Sequence, residues 1–188
     1  MAFFFSNHPR VSYDISKNNN FVKATNPLVR FKIQDIIKNT TAIYFKHTVE
    51  EGQSIQFIAQ RYYGDSNLDW VIMITNDIYD ILYDWPMDYQ VFTEFVKSKY
   101  GSVETALKTV HQYEHIIQEQ TVLFDETIIP EEFLVVDKTT YDGLGINEKR
   151  EISKFGYEER ENEKKRSIKI LQRRFLQNIL DEAESIFE

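Results

Sequence analysis

The chain has 188 residues, a formal net charge of −8 and no cysteine. The acidic balance disfavours a protein whose work is to neutralise nucleic-acid phosphates or anionic lipid, and the missing thiols exclude disulfides and thiolate metal clusters. No apolar run approaches the ~20 residues that a bilayer span needs, and Met1–Phe5, followed by Ser6, Asn7 and His8, lacks the regions of an export signal. Aromatic residues reach 14%, and large rings dominate core and interface energetics alike, a composition that suits an assembly protein.

In chain order, residues 1–38 read as an irregular arm. Pro9, Pro27 and the polar run Lys17-Asn18-Asn19-Asn20 break up the apolar patches 3–5 and 11–15. Such a segment builds no core of its own, so Phe3, Phe4, Phe5 and Tyr13 need another surface, on this chain or on a partner. Residues 43–49 are β-branched and aromatic and stop at Glu50-Glu51-Gly52, which predicts a strand and a turn. Ser54 then caps a helix whose Ile55, Ile58, Ala59 and Tyr62 share a face, with Gly64 as its left-handed stop. Asp65-Ser66-Asn67 opens a second helix, apolar nearly all round through Ile74, in which Trp70 reads as a core residue.

Residues 78–86 form an aromatic, acidic loop. A helix from Asp88 to Tyr100 closes at Gly101, and Ser102 caps a shorter one through Val110. Between Gln112 and Val136 the pattern suggests two or three short strands, and 139–145 reads as a loop with Asp142-Gly143 as its turn. From Tyr157 to Phe187 there is no glycine or proline, which predicts one long helix. Its first half is charged; its second places Ile168, Leu171, Phe175, Leu176, Ile179, Leu180, Ala183 and Phe187 over half the circumference, a face that wants a groove or a bundle.

The stretch from Glu51 through Gly64-Asp65 to Leu68-Asp69-Trp70 and Asn76-Asp77 resembles the LysM module, over about residues 43–85. That resemblance implies two short helices packed on a two-stranded sheet. It also implies a glycan site at Glu50–Ser54 and Ile78–Trp85, although the second loop is bulkier, longer and more acidic than a glycan groove requires.

A wider resemblance covers three separated stretches: Phe3-Phe4-Phe5 with Tyr13, the run from Tyr62 to Tyr79-Asp80 and Trp85, and Glu161 to Leu171. Together these are similar to the LysM-like baseplate wedge protein of T-even-type contractile-tailed bacteriophages. The fold expected is α+β: a small LysM-like βααβ domain with an extended N-terminal arm, a short β-rich segment and a long C-terminal helix. Its segments are 1–40 (arm), 41–100 (LysM-like domain and following helix), 101–150 (helix, short strands and loop) and 151–188 (amphipathic helix).

The function implied is a structural wedge subunit that joins neighbouring wedge subunits as the baseplate assembles. It would be made in the host cytoplasm and reside in the virion tail baseplate. The alternative is a LysM-type peptidoglycan-binding module of a phage particle. Partner contacts are expected at Phe3, Phe4, Phe5, Tyr13, Tyr79, Tyr83, Trp85, Lys164, Lys165, Arg166, Lys169, Leu171, Phe175, Ile179 and Leu180. Other baseplate wedge proteins are the partners; nucleic acid, membrane and small-molecule substrates are not.

No catalytic, cofactor or metal site is expected. His111 and His115 are four apart, but the segment leans towards strand and no third ligand is near. Carboxylates such as Glu131 and Glu132 are not marked as the spaced pair of a glycosidase, and neither a phosphate-cradling glycine loop nor a nucleophile elbow is present.

Overall fold

The computed structural model describes residues 8–26, 41–124 and 126–187. Phe3, Phe4 and Phe5 lie outside them, as do Pro27–Lys38 of the expected arm and the side chains of Ala183 and Phe187. The protein is α+β, and its chain forms two compact units: Met1–Pro86 with Lys165–Glu188, and Met87–Lys164. The second unit is thus inserted in the sequence of the first.

Within the expected irregular arm, the described residues 8–26 form a hairpin. Strands β1 (Arg10–Tyr13) and β2 (Val22–Thr25) pair antiparallel, Arg10 opposite Thr25 and Tyr13 opposite Val22. The polar run that seemed to break the segment is its connecting loop. The Asp14 carboxylate accepts the Asn18 and Asn19 N–H groups at 3.3 and 2.7 Å, and Lys17 and Asn19 take left-handed φ values of 53° and 64°. Asparagine tolerates that region better than most residues, which is why the run suits a turn.

After β3 (Tyr44–Thr48), helix α1 (Ile55–Tyr63) starts where Ser54 Oγ accepts the Phe57 N–H and ends at Gly64, whose φ of 83° is open to glycine at little cost. Asp65 accepts the Asn67 N–H to open a 3-10 turn, which runs into α2 (Asp69–Thr75). Both helices match the sequence reading.

The long helix expected over 157–187 is instead three elements: helix α7 (Lys154–Lys164), strand β9 (Ser167–Leu171) and helix α8 (Arg173–Phe187). Strand β9 pairs antiparallel with β3, Tyr44 opposite Leu171 and Thr48 opposite Ser167. From Ser167 to Ile170 its residues alternate, Ile168 and Ile170 inward and Lys169 outward, a period of two inside a stretch rich in helix formers, and Leu171 at its end is buried as well. Burial against α1 and α2 decides the competition, since tertiary packing outweighs helix propensity of a few tenths of a kcal/mol per residue.

The core thus closed contains Val49, Ile55, Ile58, Ala59, Trp70, Val71, Ile72, Ile168, Ile170 and Leu171, with Leu176 and Ile179 of α8 buried on it. Tyr44 and Tyr63 lie in the same core, where burial pushes both phenols above their ordinary pKa and keeps them neutral.

Strand β9 has an outer edge, and Asn76 occupies it. The Asn76 amide donates to the Lys169 carbonyl at 2.8 Å and accepts the Lys169 N–H at 2.7 Å, imitating a neighbouring strand for one residue. A sheet edge stopped in this way cannot recruit further strands there.

The second unit opens with α4 (Tyr89–Tyr100) and α5 (Val103–Lys108), which follow the chain after the short α3 (Ile81–Asp84) of the first unit. Strand β4 (Val110–Gln118) lies between β7 (Glu132–Val136) and β8 (Lys149–Ser153), antiparallel to both. Between β4 and β7 a small hairpin projects, β5 (Thr121–Val122) with β6 (Ile128–Ile129). The expected loop at 139–145 is largely helix α6 (Lys138–Gly143), begun where Asp137 accepts the Thr139 N–H.

The apolar core here is small, with Phe92, Val96 and Ala106 buried and Phe155 set edge-on to Phe92. Much of the remaining interior is ionic. Glu114 is fully buried on β4, accepting from Arg150 Nη2 at 2.7 Å, Arg160 Nη1 at 2.6 Å and the Gln112 amide at 2.7 Å. Arg150 also grips Glu131 with both terminal nitrogens at 2.8 Å, and both guanidinium groups lie over the Phe133 ring. Burial raises the Glu114 pKa, but the hydrogen bonds from Arg160, Arg150 and Gln112 outweigh it and hold the carboxyl below its usual range.

Candidate functional site

Two loops of the first unit come together at one end of its helices. The turn Glu50–Gln53 bends at Gly52, where φ is 76°, and Gln53 knits it: its amide nitrogen donates to Glu50 at 2.8 Å while its Oε1 accepts the Glu50 N–H at 3.3 Å. That same oxygen faces His47 Nε2 at 3.4 Å, so the imidazole donates there and its Nδ1 is left to accept the Tyr62 hydroxyl at 3.3 Å. The second loop, 78–86, reaches the first through Trp85, whose indole N–H donates to the Gln53 carbonyl at 3.0 Å.

The second loop is braced from within. Asp84 accepts the N–H groups of Tyr79 and Asp80, both at 2.9 Å, and Asp80 accepts that of Leu82 at 2.9 Å to start the single turn of α3. The N–H groups of Asp80 and Tyr79, with help from Lys165, hold the Asp84 carboxyl below the ordinary range. The Lys165 ammonium donates to the Tyr83 carbonyl. With the backbone fixed, Tyr79, Leu82 and Tyr83 stand 67%, 73% and 59% exposed. Large apolar side chains presented to water on a rigid loop are what an interaction surface offers.

The sites expected from sequence divide into three groups. Tyr79 and Tyr83 are exposed on this loop, Trp85 is half-buried behind them, and Tyr13 is exposed on the hairpin β1–β2 beside Ile15, Phe21 and Val22. The basic residues are engaged within the chain: Lys164 with Glu161, Lys165 with Tyr83, and Arg166 with Glu51 at 2.6 Å and the Val49 carbonyl at 3.4 Å. Lys169 points its side chain to solvent from β9.

Of the apolar face expected on a C-terminal helix, Leu171 and Ile179 are buried in the first unit's own core, and Phe175 and Leu180 are half-buried against it. The groove that this face wanted is supplied by β3, β9, α1 and α2. The unrecognised strand takes Ile168 and Leu171 off the helical wheel, while Phe175, Ile179 and Leu180 stay on α8.

Sequence reasoning missed the second unit's exposed apolar surface. Val122, Leu123, Phe124 and Ile128 on and beside the hairpin β5–β6 are all exposed, Phe124 completely, and Leu134 and Val135 of β7 are 57% and 62% exposed. The signal was available: four large apolar residues among polar ones in a stretch too short to form a core. Among the described residues no three of His, Asp and Glu converge as metal ligands. His111 is stacked on Tyr157 at 3.8 Å between ring centroids.

Braced apolar side chains around two small cores suit a structural component of a larger particle, and the sequence match is to such a class, the wedge proteins of the phage baseplate. The family model described as base plate wedge protein 53 matches residues 1–134, most of the chain, and the chain belongs to that family. It is therefore a structural protein of the virion tail baseplate, which assembles with other baseplate proteins. No curated protein matches the chain.

Proposed function

We propose that the chain joins neighbouring wedge subunits during assembly of a contractile tail of T-even type, with β3, α1, α2 and β9 as a LysM-like βααβ block serving as scaffold. The observation that carries the reading is the loop 78–86, whose backbone is locked by Asp80, Asp84, Trp85 and Lys165 while Tyr79, Leu82 and Tyr83 stay open to water. Pre-fixing the loop lowers the entropy lost on docking, and each large side chain then covered contributes ~1.5–3 kcal/mol of transfer free energy before ordering costs.

Tyr13 and its exposed neighbours form a second contact. A two-stranded hairpin with nearly all its residues exposed is marginal in water and gains most from being covered. The charged run Lys164–Lys169 contributes to register with a partner through Lys169 and the outer surface of Lys164, the other two cations bracing the loops.

The test is assembly in infected cells or from purified wedge components, with Tyr79→Ser, Leu82→Ser and Tyr83→Ser combined. The expected result is a folded subunit that no longer enters the wedge; normal incorporation refutes the reading. The bond from Trp85 to Gln53 favours one rival, because it sets side by side the two loops that would line a glycan groove. Sedimentation with insoluble peptidoglycan, abolished by deleting Glu50–Ser54, would establish that rival instead.

A further inference from the structure

The hairpin β5–β6 is a poor structural element and a well-formed probe. Its strands are two residues each, paired as Thr121 with Ile129 and Val122 with Ile128. The turn is closed by the Leu123 N–H to the Thr127 carbonyl at 2.9 Å and the Glu126 N–H to the Leu123 carbonyl at 3.0 Å. Glu126 sits at a left-handed φ of 64°, a conformation uncommon for a residue with a side chain. Phe124 falls inside that turn, with its whole ring in water. Ile117 before the hairpin and Leu134 and Val135 after it are exposed too, the last two on opposite faces of β7.

The charge carried by this stretch of chain has one sign. From Thr109 to Asp137 there is no lysine or arginine, and Glu119, Glu126 and Glu132 are all exposed along the same stretch. Cationic side chains packed on the adjoining sheet are committed within the unit, Arg150 to Glu114 and Glu131, Arg160 to Glu114 and Lys149 to the Tyr141 carbonyl. An apolar tip with an acidic collar fits an apolar cleft with a basic rim, because wrong pairings place like charges together and right ones steer the approach. Two hairpins of this kind repel, which disfavours tip-to-tip pairing of two copies.

We infer that the hairpin 121–129 is a docking tip, with Phe124 as its anchor, that inserts into an apolar, basic-rimmed cleft on a different protein of the same baseplate. The inference rests on the wedge-joining reading above and adds a second, separate contact on the other unit. Phe124 serves as the central ring of a hot spot, Val122 and Ile128 flank it, and the carboxylates of Glu119 and Glu126 meet the rim.

The test uses the full-length chain co-expressed with each other baseplate protein of the same phage, one at a time, and affinities measured for every pair that forms. Phe124→Ser should leave the unfolding curve unchanged, since the ring is already in water, and weaken one pair by at least about tenfold. Glu119→Lys with Glu126→Lys should weaken the same pair and slow its association, and raised salt should weaken the wild-type pair. A partner that binds wild type and both variants equally overturns the docking tip while leaving the wedge-joining reading standing. If no baseplate protein binds the wild-type chain, both fall. A homodimer that Phe124→Ser dissolves overturns the choice of partner in favour of a second copy.

Discussion

The two units bury different chemistry. The first is held by a continuous apolar cluster around Trp70, Ile72, Ile170 and Leu171, whereas the second has a small apolar nucleus and, apart from it, the ionic cluster of Glu114, Arg150, Arg160 and Glu131, and sets Glu158 against Lys99 and Tyr100 at 2.7 and 2.6 Å. An apolar core is insensitive to pH and salt but punishes lost volume. An ionic one tolerates lost volume better but depends on every partner keeping its charge. The lesson is that one short chain can carry two blocks whose stability answers to different variables.

The largest expected effect lies in the first unit. Trp70→Ala should cost about 3–5 kcal/mol, read from guanidinium unfolding by the fluorescence of Trp85, the other tryptophan of the chain. Hydrogen exchange should show the loss confined to the first unit. If β4 loosens in step with β3, the comparison fails and the chain has one cooperative core.

Next is Glu114→Gln, which leaves Arg150 and Arg160 facing a neutral amide. Both arginines reach solvent, so the cost should be about 2–3 kcal/mol, below that of a pair sealed on both sides. Exchange should rise on β4 and β8 and stay unchanged on β9.

Acidification sharpens the same contrast. Burial raises the Glu158 pKa, but Lys99 and Tyr100 prevail and hold it low, as the arginines do for Glu114. A carboxyl whose folded pKa lies below its unfolded value stabilises the fold fully above the ordinary value of about 4.3, and that contribution is lost as pH falls through the folded value. Hydrogen exchange read as pH is lowered past 4 should therefore show the second unit opening before the first. Simultaneous opening would mean that the carboxylates contribute little.

A smaller loss is expected for Asn76→Ala, about 1–2 kcal/mol for its two hydrogen bonds to Lys169 and one to the Ile72 carbonyl. It should be accompanied by concentration-dependent association through the freed edge of β9, seen by sedimentation velocity. Smallest is Tyr79→Ser, within about 0.5 kcal/mol by thermal melting, since the ring is exposed. A larger destabilisation would mean that Tyr79 packs on its own chain.

The legible parts of the sequence were those whose signals are local. Ser54 and Gly64 bracket α1 because a hydroxyl and a missing Cβ solve problems at the two ends of that helix alone, and Gly101 does the same for α4. The strand β9 was not legible because its partner β3 lies at the other end of the chain, and because Lys165-Arg166 turns the chain without glycine or proline. The hairpin β1–β2 was hidden similarly, its turn made by Asp14 and asparagines in place of a glycine.

At the candidate site, Tyr79 and Tyr83 could be picked out because an aromatic loop between helices is conspicuous. The internal use of Lys165 and Arg166 could not, since a charged run reads the same whether it faces solvent or braces a neighbouring carbonyl. Phe124 was read only as part of a β-rich stretch, and its exposure follows from a hairpin too short to fold back over it.

The pairing of β3 with β9 also sets an order in time. While the polypeptide leaves the ribosome, residues 44–48 wait with one face unsealed until 167–171 emerge, after every residue of the inserted unit has been made. The inserted block can therefore mature co-translationally, whereas the host block closes only after 167–171 have been made. A subunit whose first core is sealed has therefore already passed through the synthesis of both units.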